Sequence, residues 1–214
     1  MPITTLSTAA FATAAALLVG APVADANKPP KAGDTPAAST PAVAATCAYT
    51  GSSVFAPWND NRSYTLIHDG GFENAADGWT LGGAAAVAEG NETSQVGGPA
   101  DHQSLALPAG SSATSPAFCV EKHANVFRLF ARTDGSRKSR LQVDVLYSNG
   151  HRAKRATLRA GEAWAPSRKL GVALGRAKGK GKLTTASVSL RFTPVGKPAN
   201  WQIDDVYLDP RLRH

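Results

Sequence analysis

The sequence predicts an all-β fold, a two-sheet antiparallel β-sandwich of the jelly-roll type, and three observations carry that prediction. Apolar and polar residues alternate with a period of two in many short runs. Turn-forming residues fall between the runs. No segment keeps a 3.6-residue apolar period over three turns, so little helix is expected.

The chain opens with an expected export signal at residues 1–26. Residues 9–19 are apolar and Ala-rich, and Ala24-Asp25-Ala26 has the small-x-small pattern of a cleavage site. The stretch is too short to span a bilayer. Its first seven residues carry no Lys or Arg, a departure from the usual signal, and a plain Ala-rich tail is the competing reading. Residues 27–46 hold four prolines and six alanines and read as a disordered linker, with too little apolar surface to offset ordering entropy. The sandwich is expected over residues 47–210, with a basic tail at 211–214. A secreted, extracellular protein follows from this plan.

Within the domain, Ser187-Val188-Ser189-Leu190-Arg191-Phe192 alternates cleanly. Leu141, Val143, Val145 and Tyr147 share one face of a second strand, and Phe127, Leu129 and Ala131 one face of a third. Further strands are expected at 64–68, 84–89, 104–107, 114–120, 152–158, 168–172 and 201–208, about ten in all. Asn149-Gly150, Asp134-Gly135, Pro108-Ala109-Gly110 and Pro166-Ser167 supply turns. Residues 177–182, alternating Lys and Gly after Ala177, read as a cationic loop, since no P-loop pattern surrounds them.

Two cysteines, Cys47 and Cys119, stand outside the leader. In an oxidising compartment they form one disulfide; two free thiols is the alternative. Charge is unevenly spread. Residues 47–121 hold eight Asp or Glu and one Arg, whereas residues 122–182 hold sixteen Lys or Arg and three Asp or Glu. A basic surface suits acidic polymers; interleaving of the two halves in one sandwich would equally neutralise it. Nothing points to specific nucleic-acid recognition or a membrane span, and a monomer is expected.

Two signatures lie far apart: Asp69-Gly70-Gly71-Phe72-Glu73 followed by Gly78-Trp79, and Trp201-Gln202-Ile203-Asp204-Asp205-Val206-Tyr207-Leu208. With Trp164 between them, they resemble the galactose-binding-like jelly rolls, most closely carbohydrate-binding modules of the family 4, 9 and 22 type. The stretch from Asp69 through Val96-Gly97-Gly98 to Cys119-Val120 is also similar to a family of uncharacterised secreted proteins of high-GC Gram-positive bacteria. The resemblance implies a structural calcium where the first strand meets the last, at Glu73 and Asp204, with Asp69 a further candidate. Calcium takes several hard oxygens, and glycines let carbonyls turn inward. Strict alternation puts Asp204 on the core side with Val206 and Leu208, and Asp205 on the opposite side. Pairing of these carboxylates with Arg or backbone N–H groups, without metal, is the alternative.

Trp79 and Trp201 are expected in the core, and Trp58 over one end of the sandwich. Sugar rings stack on exposed aromatic faces, for which only Phe130, Tyr147 and Trp164 are candidates. Arg128, Phe130, Arg132, Gln142, Asp144 and Arg191 are expected to line one sheet face as a ligand-binding surface, suited to an acidic glycan, or else to form a cross-strand paired, solvated surface.

No catalytic motif is present: no GxSxG, no HExxH and no Cys–His arrangement. Asp101-His102 lies in a Gly-Pro loop without zinc-ligand spacing. The sequence therefore reads as a non-catalytic binding module for cell-surface or environmental polysaccharide. The alternative is a structural cell-envelope or protein-contact sandwich with no glycan ligand.

Overall fold

A computed structural model describes residues 47–121, 124, 126–172 and 185–209, with the backbone alone at 154 and 155. The leader, the linker, the cationic loop at 177–182 and the tail at 211–214 lie outside the described residues.

The fold is all-β, as predicted: two antiparallel sheets packed face to face, with one short 3-10 turn at Ala56–Trp58. The strands are β1 (Thr65–Leu66), β2 (Thr80–Gly82), β3 (Ala86–Glu89), β4 (Gln103–Leu107), β5 (Ser112–Thr114), β6 (Phe118–Glu121), β7 (Val126–Thr133), β8 (Arg140–Tyr147), β9 (Arg152–Leu158), β10 (Ala165–Pro166), β11 (Leu170–Gly171), β12 (Thr185–Val195) and β13 (Trp201–Asp209). A seven-stranded sheet runs β10-β7-β13-β4-β3, with β1 paired to β13 and β11 to β7. A six-stranded sheet runs β2-β5-β12-β8-β9, with β6 paired to β12.

The period-two pattern builds the core directly. Phe127, Leu129 and Ala131 of β7 face Leu141, Val143 and Val145 of β8 and Val188, Leu190 and Phe192 of β12 across the sandwich, all buried. Trp79 packs between Phe72 and Phe192, with centroids 4.9 and 6.1 Å away. Trp201 is fully buried, and its Nε1–H donates to Ser139 Oγ at 2.8 Å. Both tryptophans therefore sit in the core.

The single strand expected at 114–120 is two, β5 and β6, both paired with β12. Pro116 has no N–H to give a ladder, and Ser115 Oγ instead accepts the Leu190 amide at 3.0 Å. Pro166 pairs with Phe130 in β10 instead of turning; proline is tolerated there because β10 is an edge. Cys47 and Cys119 form the expected disulfide, with Cα atoms 5.6 Å apart. It ties the start of the domain to β6.

Between this disulfide and β1, the segment 51–64 crosses the outer face of the seven-stranded sheet. Phe55 stacks on Phe130 at 5.6 Å and meets Tyr64 and Tyr207 edge-on. Trp58 lies against Phe130 at 5.3 Å. Trp58 thus covers a sheet face, where an end of the sandwich was expected. Among the described residues, no helix is long and apolar enough to cross a membrane.

Candidate functional site

The last strand carries a β-bulge that decides the chemistry around it. Asp204 pairs with Phe130 and Tyr207 with Arg128, so two residues of β13 answer one residue of β7. Asp205 takes up the extra length with a left-handed φ of 53°. Alternation is thereby reset: Ile203 points into the core, Asp204 out of it, and Val206 and Leu208 in again. This corrects the expected side for Asp204. The bulge also redirects Asp205, which strict alternation had turned away from the site.

Both carboxylates remain fully buried because two loops close over them. Residues 90–102, between β3 and β4, bring Asp101 and Glu92; residues 69–77, between β1 and β2, bring Glu73. Carboxylate oxygens of Asp101, Asp204 and Asp205 lie within 4.8 Å of one another. Asp204 accepts the Glu92 amide at 3.0 Å and the Asp205 amide at 2.8 Å. Glu73 accepts the amides of His102 and Gln103 at 2.9 and 2.6 Å. Glu92 accepts those of Ser94 and Val96 at 2.7 and 2.5 Å. Both carboxylate oxygens of Asp101, and both of Asp205, have no hydrogen-bond donor. At Gly97 a Cβ would stand 2.5 Å from Asp101 Oδ2, so a side chain there would displace the carboxylate.

Of the two residues paired by the sequence reading, Asp204 belongs to this group, whereas Glu73 stands next to Asp101 with its carboxylate on the His102 and Gln103 amides. Asp69 does not belong to it: its two oxygens accept the amides of Asn74 and Asp77 at 3.0 and 2.6 Å, which folds the 69–77 loop. Asp101 and Asp205 are the ligand-type residues that alternation missed. For Asp101 the one local signal is a glycine pair, Gly97-Gly98, three to four residues before it in a Gly-Pro loop.

Crowding perturbs these acids. Burial first, then the Glu73 carboxyl, raises Asp101 to about 6. Burial and the neighbouring Asp205 raise Asp204 to about 9. Burial, with Asp101, Glu92 and Glu73, raises Asp205 to about 8. Burial also pushes Glu73 up, but the two amides outweigh it and hold that carboxyl below its ordinary range. Such a cluster must be neutralised by protons or by a cation.

The six residues expected to form one ligand face divide between two. Arg128, Phe130 and Arg132 face outward from β7 in one sheet; Gln142 and Asp144 of β8 and Arg191 of β12 face outward from the other. Sheet membership is a long-range property, and the shared period of two concealed it. On the seven-stranded side, Arg128 and Phe130 are buried beneath the segment 51–64. The Arg128 guanidinium lies 4.1 Å from the Phe55 centroid, and its Nη1 donates to Asp60 at 2.9 Å. Asp60 also accepts the Tyr64 hydroxyl at 2.7 Å and pairs with Lys169 at 3.0 Å. On the six-stranded side, Asp144 is covered by Gln142 and Arg152, and Arg191 donates to Ser112 at 3.2 Å. That face is a cross-strand paired network.

Of the six, Arg132 reaches an open groove. Ala106, Gln202 and Arg132 stand in register across β4, β13 and β7. Arg132 donates to the Gln202 side-chain oxygen, and its guanidinium lies 5.5 Å from the Trp164 ring. With Pro108, Asp134, Glu162 and Asn200, this row encloses about 440 Å³. Asp134 accepts both the amide and the side-chain N–H of Asn200, at 2.9 and 3.2 Å.

No protein-family model and no curated protein matches the sequence. Among solved structures, the chain is similar to a family 61 carbohydrate-binding module in complex with β-1,4-galactotriose, at 17% identity and TM-score 0.40, over 70% of this chain and 98% of that one. It is similar to the xylan-binding family 22 module of Paenibacillus barcinonensis, at 15% identity and TM-score 0.45, over 65% and 90%. A C-terminal family 22 module of Clostridium thermocellum aligns at 14% identity and TM-score 0.42, over 67% and 93%. The likeness concerns the arrangement of strands alone.

Proposed function

We propose that this protein is a secreted, non-catalytic module that binds polysaccharide in the groove across β4, β13 and β7. The observation that carries the reading is the convergence of Arg132, Gln202, Asn200, Asp134 and Glu162 on one concave space of about 440 Å³. Ligand sites are concavities of this size with a few convergent polar groups. Planar amide, carboxylate and guanidinium groups suit the adjacent hydroxyls of a sugar ring, each able to make paired hydrogen bonds. Ala106 and Pro108 offer apolar surface to its C–H face.

The acidic cluster is proposed to hold one structural calcium, with Asp101, Asp204 and Asp205 as ligands and Glu73 beside them. Supporting this are the four carboxylate oxygens of Asp101 and Asp205 without donors, in a buried site of hard oxygen atoms. The ion would neutralise the cluster and tie two loops to the bulge of β13. It takes no part in a reaction.

The test is retention on soluble neutral polysaccharides (xylan, β-galactan, mixed-linkage β-glucan) in affinity gels at low and high salt. Salt-resistant retention on at least one, weakened about tenfold by Gln202→Ala or Arg132→Ala, is expected. Absence of retention on all of them would overturn the reading and favour the protein-contact sandwich.

A further inference from the structure

We propose a second binding site, for acidic sugar residues, in the cleft between the two sheets at their β9 and β10 edges. These strands end their respective sheets and are each paired on one side only. Between them lies a space of about 360 Å³, lined by Ala131, Leu158, Ala160, Ala165 and Pro166, with Thr157, Ser167, Arg159 and Arg168. Ala131 and Leu158 are core residues, so the floor of this cleft is the open side of the sandwich. The segment 159–164 divides it from the groove: Arg159 and Ala160 line the cleft, and Glu162 lines the groove.

The ligand class follows from the lining. Arg159 and Arg168 are exposed and have no carboxylate partner among the described residues. Among the described residues, no acidic side chain lines the cleft. A guanidinium fork binds carboxylate or sulfate in a bidentate manner. The apolar floor asks for something besides charge, and the C–H face of a sugar ring fits it. The volume admits one or two rings and no nucleic-acid duplex. A uronate and a sulfated hexose share the required chemistry: an anionic group on a ring with an apolar face. The site is independent of the groove and shares with it only the polysaccharide class of ligand.

The experiment is titration of the full mature chain with oligogalacturonate, with a heparin oligosaccharide and with inorganic polyphosphate. Wild type is compared with Arg159→Ala/Arg168→Ala and with Arg137→Ala/Lys138→Ala, which removes the same charge from another exposed loop. Circular dichroism checks the fold of each variant. We expect the first variant to weaken binding of at least one acidic saccharide about tenfold or more, with the second within about twofold of wild type. Arg159→Lys/Arg168→Lys keeps the charge, loses the fork and should fall between. Oligogalacturonate against heparin tells carboxylate from sulfate. Equal loss in both alanine variants, or no loss in either, would overturn the site. Polyphosphate bound as tightly through the same arginines would overturn the sugar class. Retention of neutral glycan, and its sensitivity to Gln202→Ala, should be unaffected, so failure here is separable from failure of the groove.

Discussion

Asp204 stands directly opposite Phe130 across β13 and β7, and the next residue, Asp205, has no partner on β7 at all. This one relationship joins the two notable features of the sheet's outer face. On one side of the pair lies a buried acidic cluster; on the other lies the aromatic cover laid down by the segment 51–64.

For the acidic cluster, a pH dependence follows. Asp101, Asp204 and Asp205 have folded-state values of about 6, 9 and 8, all above the ordinary Asp value of 3.8. A carboxyl raised in this way favours the folded state at low pH, and that stability is lost as pH rises through the folded value. The melting midpoint of metal-free protein should therefore fall between pH 4 and pH 9. Added calcium should raise the midpoint, and more at pH 8 than at pH 5, since protons compete for the same oxygens. Asp205→Asn should flatten the fall and remove most of the calcium gain. A midpoint indifferent to both pH and calcium would sink the proposed site.

The cover over the sheet is predicted to be held chiefly by Asp60. It is the common partner of Arg128, Tyr64 and Lys169, and Arg128 is itself buried. Asp60→Ala should cost about 3–5 kcal/mol, mostly by leaving a buried guanidinium unpaired. Urea unfolding measures it. Burial pushes the Asp60 carboxyl up, but the Tyr64, Lys169 and Arg128 donors outweigh it and hold it below its ordinary value. Its contribution is therefore present above pH 4 and lost as pH falls, the reverse of the acidic cluster.

Phe55→Ala should be comparably damaging, about 3–5 kcal/mol, because Phe55 touches Trp58, Tyr64, Phe130 and Tyr207. If the segment 51–64 were a loose strap, the cost would instead stay near that of a surface substitution, within about 0.5 kcal/mol.

The disulfide closes a sequence separation of 72 residues. In the chain-entropy account, Cys47→Ser/Cys119→Ser should lose about 4 kcal/mol. Glu121 accepts the Cys47 amide at 2.8 Å and keeps one tie in the absence of the bridge. Comparing the double variant with oxidised wild type by denaturant unfolding checks the value.

Much of the sandwich is legible in the chain because alternation is a local signal. Strands β7, β8 and β12 are long and regular enough for a period of two to stand out, and their core faces are as the pattern implies; β9 and β13 are interrupted by register shifts. The pairing of Cys47 with Cys119, and the burial of Trp79 and Trp201, follow from composition and motif. β2 and β10 are too short to carry a period, and their place is set by the partners they meet.

The site was only half legible, for a definite reason. Glu73 and Asp204 stand in recognisable signatures, but one extra residue on β13 reversed the expected side of Asp204 and brought in Asp205. A bulge is decided by the register of pairing with β7, which no run of residues on β13 announces. Likewise, Arg128 and Asp144 share the same polar place in the same alternation, yet lie on opposite faces of the molecule. The sequence by itself determined which residues the regular strands β7, β8 and β12 turn inward. Only tertiary structure decided which sheet each strand joins, which outer face its own N-terminal segment covers, and which carboxylates meet, because those depend on contacts between residues far apart in the chain.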